Sequence, residues 1–505
     1  MLALPLSPFL RYNPKLPRRA IDPKEVSVCD NSEIFNGCLL KSCGHTELTN
    51  ITLDGPARHI REHVTNDGTR FFCILTVAKF WVYNTSTGVL SDYTRNADPY
   101  GGSFQWSSCS YGDLFIFSNG VDEVQKWDGA STNKAVDLAT AMSERPLLVM
   151  TFGSHLLFLN DQAAADKVNR KKLMWSVPGI PADFSGAGSG SATVYEGIGE
   201  IKAVKMLSRE TIGVYKSDSV HLLEYVGGTQ YFVVRSGFTG IGVDSRDAVV
   251  NIDGFHVALT NNGLRKFDGA SIVPFLPEIT PILTQYYPNN NSKFTQLLYD
   301  AYNNKLWIFL PKSGSSWECS TALVYSFKDA SWSRQSDFST YAVCTGNVAT
   351  STGVRWMDLP VPWNSAGGLF WGGQSIASRY RVVIGDTVDS VYQEDELSNV
   401  RQGNGYQATA ETLLVHPGFL LFQHPTVNTE LVQIDIGLLM GNPSISIGVS
   451  DRGDESITWH GPYVPDANGH IYKMLVGRWF IFRIRDTNPF SVFAITPWFV
   501  KRGVV

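Results

Sequence analysis

The sharpest candidate for chemistry is His59-Ile-Arg-Glu62-His63, which fits the order H-x-x-E-H. In the inverted zinc-protease motif, two imidazoles one helical turn apart hold zinc, and the carboxylate beside them activates water. That geometry needs a helix. Here Pro56 and Asn66-Asp67-Gly68 confine the segment to about ten residues, and its neighbours read as strands. On a strand, His59 and His63 share one face while Glu62 points to the other, so surface histidines are expected rather than a metal site. Cys29, Cys38, Cys43 and His45 lack the closely paired cysteines of a zinc knuckle. No GxSxG, Walker A or GxGxxG stretch occurs, and Gly240-Ile-Gly242 lacks both the third glycine and a following helix. Ser450-Asp-Arg-Gly-Asp-Glu-Ser-Ile-Thr-Trp459 approaches the Asp-box of sialidase-type propellers with its Asp one position early. Such a box is a hairpin-turn device and says nothing about catalysis. Trp127-Asp128 is a lone WD dipeptide without an upstream Gly-His. The expectation is a protein that is not an enzyme and needs no metal or cofactor.

The elements that carry these residues are β-strands. The stretch Tyr231–Ser271 holds three short runs, Ala248–Ile252, Phe255–Thr260 and Leu264–Phe267. They are separated by Asp253-Gly254, Asn262-Gly263 and Asp268-Gly269, dipeptides that favour the positive φ of hairpin turns, so the segment reads as an antiparallel meander. Its closing half recurs upstream as Leu114-Phe-Ile-Phe117, Asn119-Gly120 and Val124-Gln-Lys-Trp127-Asp-Gly-Ala-Ser131. From residue 53 to 398 strand pairs end on an aromatic at Trp81, Trp127, Trp175, Tyr225, Phe267, Phe327 and Tyr392. The first spacings match the roughly 40–50 residues of a four-stranded propeller blade, and the longer later ones imply loop insertions. The fold expected is all-β: a β-propeller of six or seven blades over 53–398, followed by a β-sandwich over 399–505. Within that last part, Ser444–Ser450, Trp479–Arg485 and Ser491–Thr496 read as strands.

Residues 1–52 read as an N-terminal arm and entry strands; they show little periodicity, and the turn residues Asn36-Gly37 and Cys43-Gly44 lead into the first strands. Arg11-Tyr12-Asn-Pro-Lys15-Leu-Pro-Arg18-Arg19 is too Pro-rich for a helix, and cations outnumber carboxylates there. An extended basic arm of this kind lies on its own domain or on a neighbouring subunit, or is a solvated tail. Two segments read as loops without core residues: the Gly/Ser stretch containing Gly186, Gly188, Ser189 and Gly190, and the stretch 361–373 with Trp363 and Trp371.

Of the 505 residues 43% are hydrophobic, 12% aromatic and 18% charged, enough to bury a large core and too few charges for a disordered chain. A net charge of −5 gives no global attraction to nucleic acid or anionic membrane. No apolar run reaches the roughly 18 residues of a membrane span. The apolar start is broken by Pro5 and Pro8 with no basic residue before it, a poor secretion signal. Seven cysteines without a CxxC pair are expected to be free thiols in a reducing cytoplasm.

Read in order, several stretches resemble the tail nozzle proteins of short-tailed bacteriophages, also called tubular or packaged-DNA-stabilisation proteins. They are Tyr195-Glu-Gly-Ile-Gly-Glu-Ile-Lys-Ala-Val204, Ile212-Gly-Val-Tyr-Lys-Ser-Asp-Ser-Val220, Gly240-Ile-Gly242, the 251–269 meander, and Ser450-Asp-Arg-Gly453 with Val476-Gly-Arg-Trp479 and Asn488-Pro-Phe490. The resemblance implies a structural virion protein, assembled in the host cytoplasm as a homohexameric ring of the tail. It implies contacts with the tail adaptor and with tail fibre or spike proteins, and a gate retaining packaged double-stranded DNA, which passes without sequence specificity. Gly186, Gly188, Ser189, Gly190, Trp363 and Trp371 are then candidate lumen or gate residues, and Arg11, Tyr12, Lys15, Arg18 and Arg19 a candidate inter-subunit arm. The Gly/Ser loop and a blade-six insertion near Val361 depart from the family. The competing expectation is a phage tail propeller that binds a host surface glycan or receptor through Trp363 and Trp371. A propeller hydrolase would need repeated Asp-boxes or a marked acid/base pair, and the sequence has neither.

Overall fold

The computed structural model describes residues 1–505 apart from 14, 21, 49–50, 97–98, 102–104, 131, 141, 164–167, 229–230, 287–291, 312–316, 350–377, 396–397, 454–455 and 505. Residues 59–92, 107–137, 146–193, 203–239, 249–274 and 296–335 each form four antiparallel strands in chain order. A seventh set comes from 342–395 and is completed by Gly44–Glu47. The innermost strands are His59–Val64, Ser107–Tyr111, Pro146–Phe152, Ala203–Met206, Val249–Ile252, Gln296–Asp300 and Ala342–Ala349. Each packs against the next, and the last packs against the first. The chain is therefore a closed propeller of seven blades.

Second strands such as Arg70–Leu75, His155–Asp161 and Lys305–Pro311 are almost wholly buried runs, because neighbouring blades cover both their faces. Each aromatic marker of the sequence lies in, or directly after, the third strand of its blade. The two sequence copies occupy equivalent places in blades two and five. Trp127 pairs opposite Phe115 and Phe267 opposite His256. Asp128 and Asp268 then accept the backbone N–H of Ala130 (3.0 Å) and Ala270 (2.9 Å), closing the turn.

The division of the chain differs from the expected boundaries. The strands between residues 2 and 47 are divided between the domains, Gly44–Glu47 in blade seven and the earlier ones in the sandwich. Leu2–Ala3 and Cys38–Lys41 pair with Ser491–Val504, and Ser32–Phe35 pairs with Cys38–Lys41. In that sheet the order continues through Val427–Met440 to His470–Gly477 at the edge. The facing sheet runs Val26–Asp30, Ala408–Thr412, Trp479–Asp486, Ser444–Ser450, Thr458–Tyr463. Val26–Asp30 also meets the outer strand of blade six in parallel, Asp30 opposite Arg334, so one sheet runs from propeller into sandwich. Leu4, Leu6 and Phe9 of the arm lie in the sandwich core beside Ile434, Ile445, Phe482 and Phe499. Short strands of the N-terminus carry too few residues for a visible alternation, so they show no period in sequence. The insertion near Val361 falls between the first two strands of blade seven, not in blade six, and lies outside the described residues.

Candidate functional site

The inner strands surround a central channel of about 740 Å³. His59, Arg61 and His63 alternate on one face of the first inner strand and meet blade two. His59 Nε2 lies 2.8 Å from Ser108 Oγ. His63 is fully buried: Ser110 Oγ–H donates to its Nδ1 (2.9 Å), and its Nε2–H donates to the carbonyl of Asp113 (3.0 Å). Burial lowers both imidazoles below their usual pKa, His59 to about 3, where the Arg246 charge adds to the effect. Glu62 points the other way and accepts from Arg70 Nη1 (2.9 Å) and from the N–H of Asn347 (3.0 Å). The strand separates the three side chains as alternation requires. The histidines are not at the surface, however. They pin blade one to blade two, because a ring in a propeller buries inner-strand side chains between blades.

Cys29 and His45 are buried in the sandwich sheet and in the strand closing blade seven, respectively. Among the described residues no three His, Cys, Asp or Glu side chains converge as metal ligands. None of the seven cysteines forms a disulfide.

The basic arm lies against its own chain. Arg11 Nε bonds Glu25 (2.5 Å), Arg18 Nη2 bonds Glu411 (2.8 Å), and Tyr12 forms a parallel bridge with Val26. Tyr12 packs on the cores of sandwich and propeller alike. Lys15 and Arg19 stay exposed. The Gly/Ser segment is not the free loop its composition suggests. Asp183 Oδ1 accepts the N–H groups of Ser185 and Gly186, Ser189 Oγ–H donates to the carbonyl of Gly186, and Gly190 opens the outermost strand of blade three, against Trp175. Gly188 has φ +94° and lies close to Pro178 and Tyr231, where a Cβ would not fit. These four residues sit on the rim of blade three, away from the propeller channel. Trp363 and Trp371 lie outside the described residues.

Two features had no sequence signal. The first is Arg401, fully buried where the domains join. It donates to Asn31 Oδ1, to Ser42 Oγ and to the carbonyls of Cys43 and Ser336, and its guanidinium stacks on Tyr406 at 4.2 Å. The second is the outer face of the sandwich sheet that ends in the edge strand His470–Gly477. Tyr472, Met474 and Val476 alternate there at 60%, 76% and 53% exposure, and Phe493 lies exposed over Gly437 in the same sheet. An open strand edge beside a row of apolar side chains is a surface suited to association.

The chain is thus an all-β protein, a seven-bladed propeller joined to a β-sandwich through its N-terminal strands. No protein-family model matches it, and no curated protein matches it. Among solved structures it is similar to YCF48 bound to D1 peptide, at 12% identity and a TM-score of 0.39, over 68% of this chain and 94% of that one. A likeness at that level carries no argument about function. No helix among the described residues is long and apolar enough to cross a membrane.

Proposed function

We propose that this chain is the repeating subunit of a tail nozzle ring of a short-tailed bacteriophage, a structural and non-enzymatic virion protein. Copies would surround a conduit for packaged double-stranded DNA and contact the tail adaptor and the fibre or spike proteins. The observation that carries the reading is the uncovered sandwich face at Tyr472, Met474, Val476 and Phe493 beside the open edge His470–Gly477. Exposed backbone donors and acceptors next to contiguous apolar side chains favour pairing with another chain. The propeller, closed by Gly44–Glu47, supplies a stiff body for such a ring. A mildly acidic chain also suits a DNA conduit, since each neutralised phosphate would add salt-sensitive grip. A gate at Gly186–Gly190 requires the rim of blade three to face the ring axis.

The test is the mass of the purified chain alone and with its adaptor, followed by averaging of particle images for symmetry. A six-fold ring that Met474→Asp abolishes while the monomer stays folded supports the reading. A stable monomer or trimer that ignores tail proteins and binds a surface glycan refutes it and moves the function to receptor recognition.

A further inference from the structure

The channel lining runs against the charge of the whole chain. Arg61 comes from the inner strand of blade one, Lys205 from that of blade four, and Arg246 from the turn before that of blade five. Asp247 is the one carboxylate lining the channel beside them, and it takes the Nε (3.0 Å) and Nη2 (2.9 Å) of Arg246. The other lining carboxylate, Glu62, is held by Arg70. Among the described residues Arg61 Nη1 donates to the carbonyl of Ser108 alone (2.6 Å). Arg246 Nη1 is buried with no hydrogen-bond partner. Lys205 is half-buried, and its ammonium has no hydrogen bond or ion pair among the described residues. Burial holds that ammonium below its usual pKa; Asp247 opposes the shift, and Arg61 and Arg246 add to it, so all three lie within electrostatic range of the ammonium. His59, on the same lining, is neutral and adds no further positive charge.

With Arg58 stacked on Tyr341, the other three lining cations face one carboxylate in a confined space and repel. A multivalent anion between them relieves that repulsion, while the buried Arg246 Nη1 lies out of its reach. We propose that the propeller channel binds a small doubly charged oxyanion, phosphate or a phosphate monoester, between Arg61, Lys205 and Arg246. The channel's 740 Å³ lies within the roughly 300–1,000 Å³ of small-molecule sites and is far too small for a nucleic-acid duplex. Arg61 is solvent-exposed, so the cluster can be reached. This site is independent of the tail-ring reading, and either can fail alone.

The experiment is a melting series of the full chain at fixed ionic strength, replacing chloride by sodium phosphate in one arm and by a nucleoside monophosphate in the other. The expected result is a saturable rise in Tm with at least one of them. Saturation by phosphate alone identifies the free ion, and saturation by the nucleotide alone identifies an ester. Lys205→Met should weaken the effect roughly ten- to hundredfold, the range for a lost charge-assisted bond. The same variant should melt at or above the wild type in chloride, because removing an unmatched charge relieves repulsion. Arg61→Gln, on a different blade, should weaken binding as well. A rise no larger than chloride gives, a response unchanged in both variants, or a Lys205→Met chain that melts lower in chloride would each overturn the proposal.

Discussion

Arg401 makes the joint between propeller and sandwich testable. Its guanidinium gathers Asn31, the Ser42-Cys43 segment and the end of blade six at Ser336 around one buried charge, with no carboxylate among the described residues bonded to it. Arg401→Met keeps the aliphatic stem against Tyr406 but leaves Asn31 Oδ1, Ser42 Oγ and the carbonyls of Cys43 and Ser336 without their donor. An unsatisfied buried group costs about 1–3 kcal/mol, and some of these will find water or each other, so a loss of about 3–5 kcal/mol is expected. An unfolding entropy of about 2.1 cal/mol/K per residue over 505 residues turns that into a fall of roughly 3–5 °C if the chain melts as one unit. Because the lost bonds tie two domains together, the single transition should also split, with propeller and sandwich melting apart. Arg401→Lys keeps the charge with three donors but not the planar fork, and should recover about half of the loss. Calorimetry gives the transitions, and hydrogen exchange should rise at 31–43 and 336–340. An Arg401→Met chain with one transition within about 1 °C of wild type, and no added exchange in those segments, would refute this account of the joint.

Acid should loosen the propeller above the pH at which ordinary carboxylates titrate. Burial lowers His45 and His59 to about 3 and His256 to about 4, so below pH 6.5 the unfolded chain takes up protons that the fold refuses. Stability therefore falls from about pH 6.5 towards 4, by up to about 1.4 kcal/mol per pH unit for each histidine. Glu394, raised to about 7 by burial, opposes this: the fold keeps a proton that the unfolded chain sheds above about 4.5, so its contribution grows as pH falls. With three histidines against one glutamate, denaturation midpoints between pH 7 and 4.5 should decline, and a flat profile would contradict the burial. Gly44→Ala places a Cβ 2.4 Å from the carbonyl oxygen of Ser398 and 2.5 Å from that of Val400, at the strand that closes blade seven. About 1–3 kcal/mol of destabilisation, with raised exchange at 44–47 and 391–395, is expected by hydrogen–deuterium measurement. Lys216→Met frees the carbonyls of Val194, Glu196 and Gly197, which the buried ammonium now caps; raised exchange at 194–199 and about 2–4 kcal/mol of lost stability should follow. Deleting residues 1–20 removes Leu4, Leu6 and Phe9 from the sandwich core, about 4–9 kcal/mol of burial, and should prevent soluble folding regardless of any partner contact. The exposed Lys15 and Arg19 are the places to test the arm for subunit contacts.

The sequence by itself determined the fold class and the repeat. Asn-Gly and Asp-Gly turns, two-residue alternation and an aromatic in or directly after each third strand are local signals. They survive because hairpin turns and side-chain alternation depend on a few consecutive residues. The same alternation correctly separated Glu62 from His59 and His63. Only the tertiary structure decided where the N-terminal strands go, since a strand of two to five residues has no period of its own and is specified by the edge it joins. It alone brought Arg401 to Asn31, Ser42 and Ser336, and Arg61 to Lys205 and Arg246, because these sets come from separate parts of the chain and meet through blade closure. It also turned a Gly/Ser stretch into an ordered blade rim, because Asp183 and Trp175 supply the bonds and packing that the stretch lacks in itself.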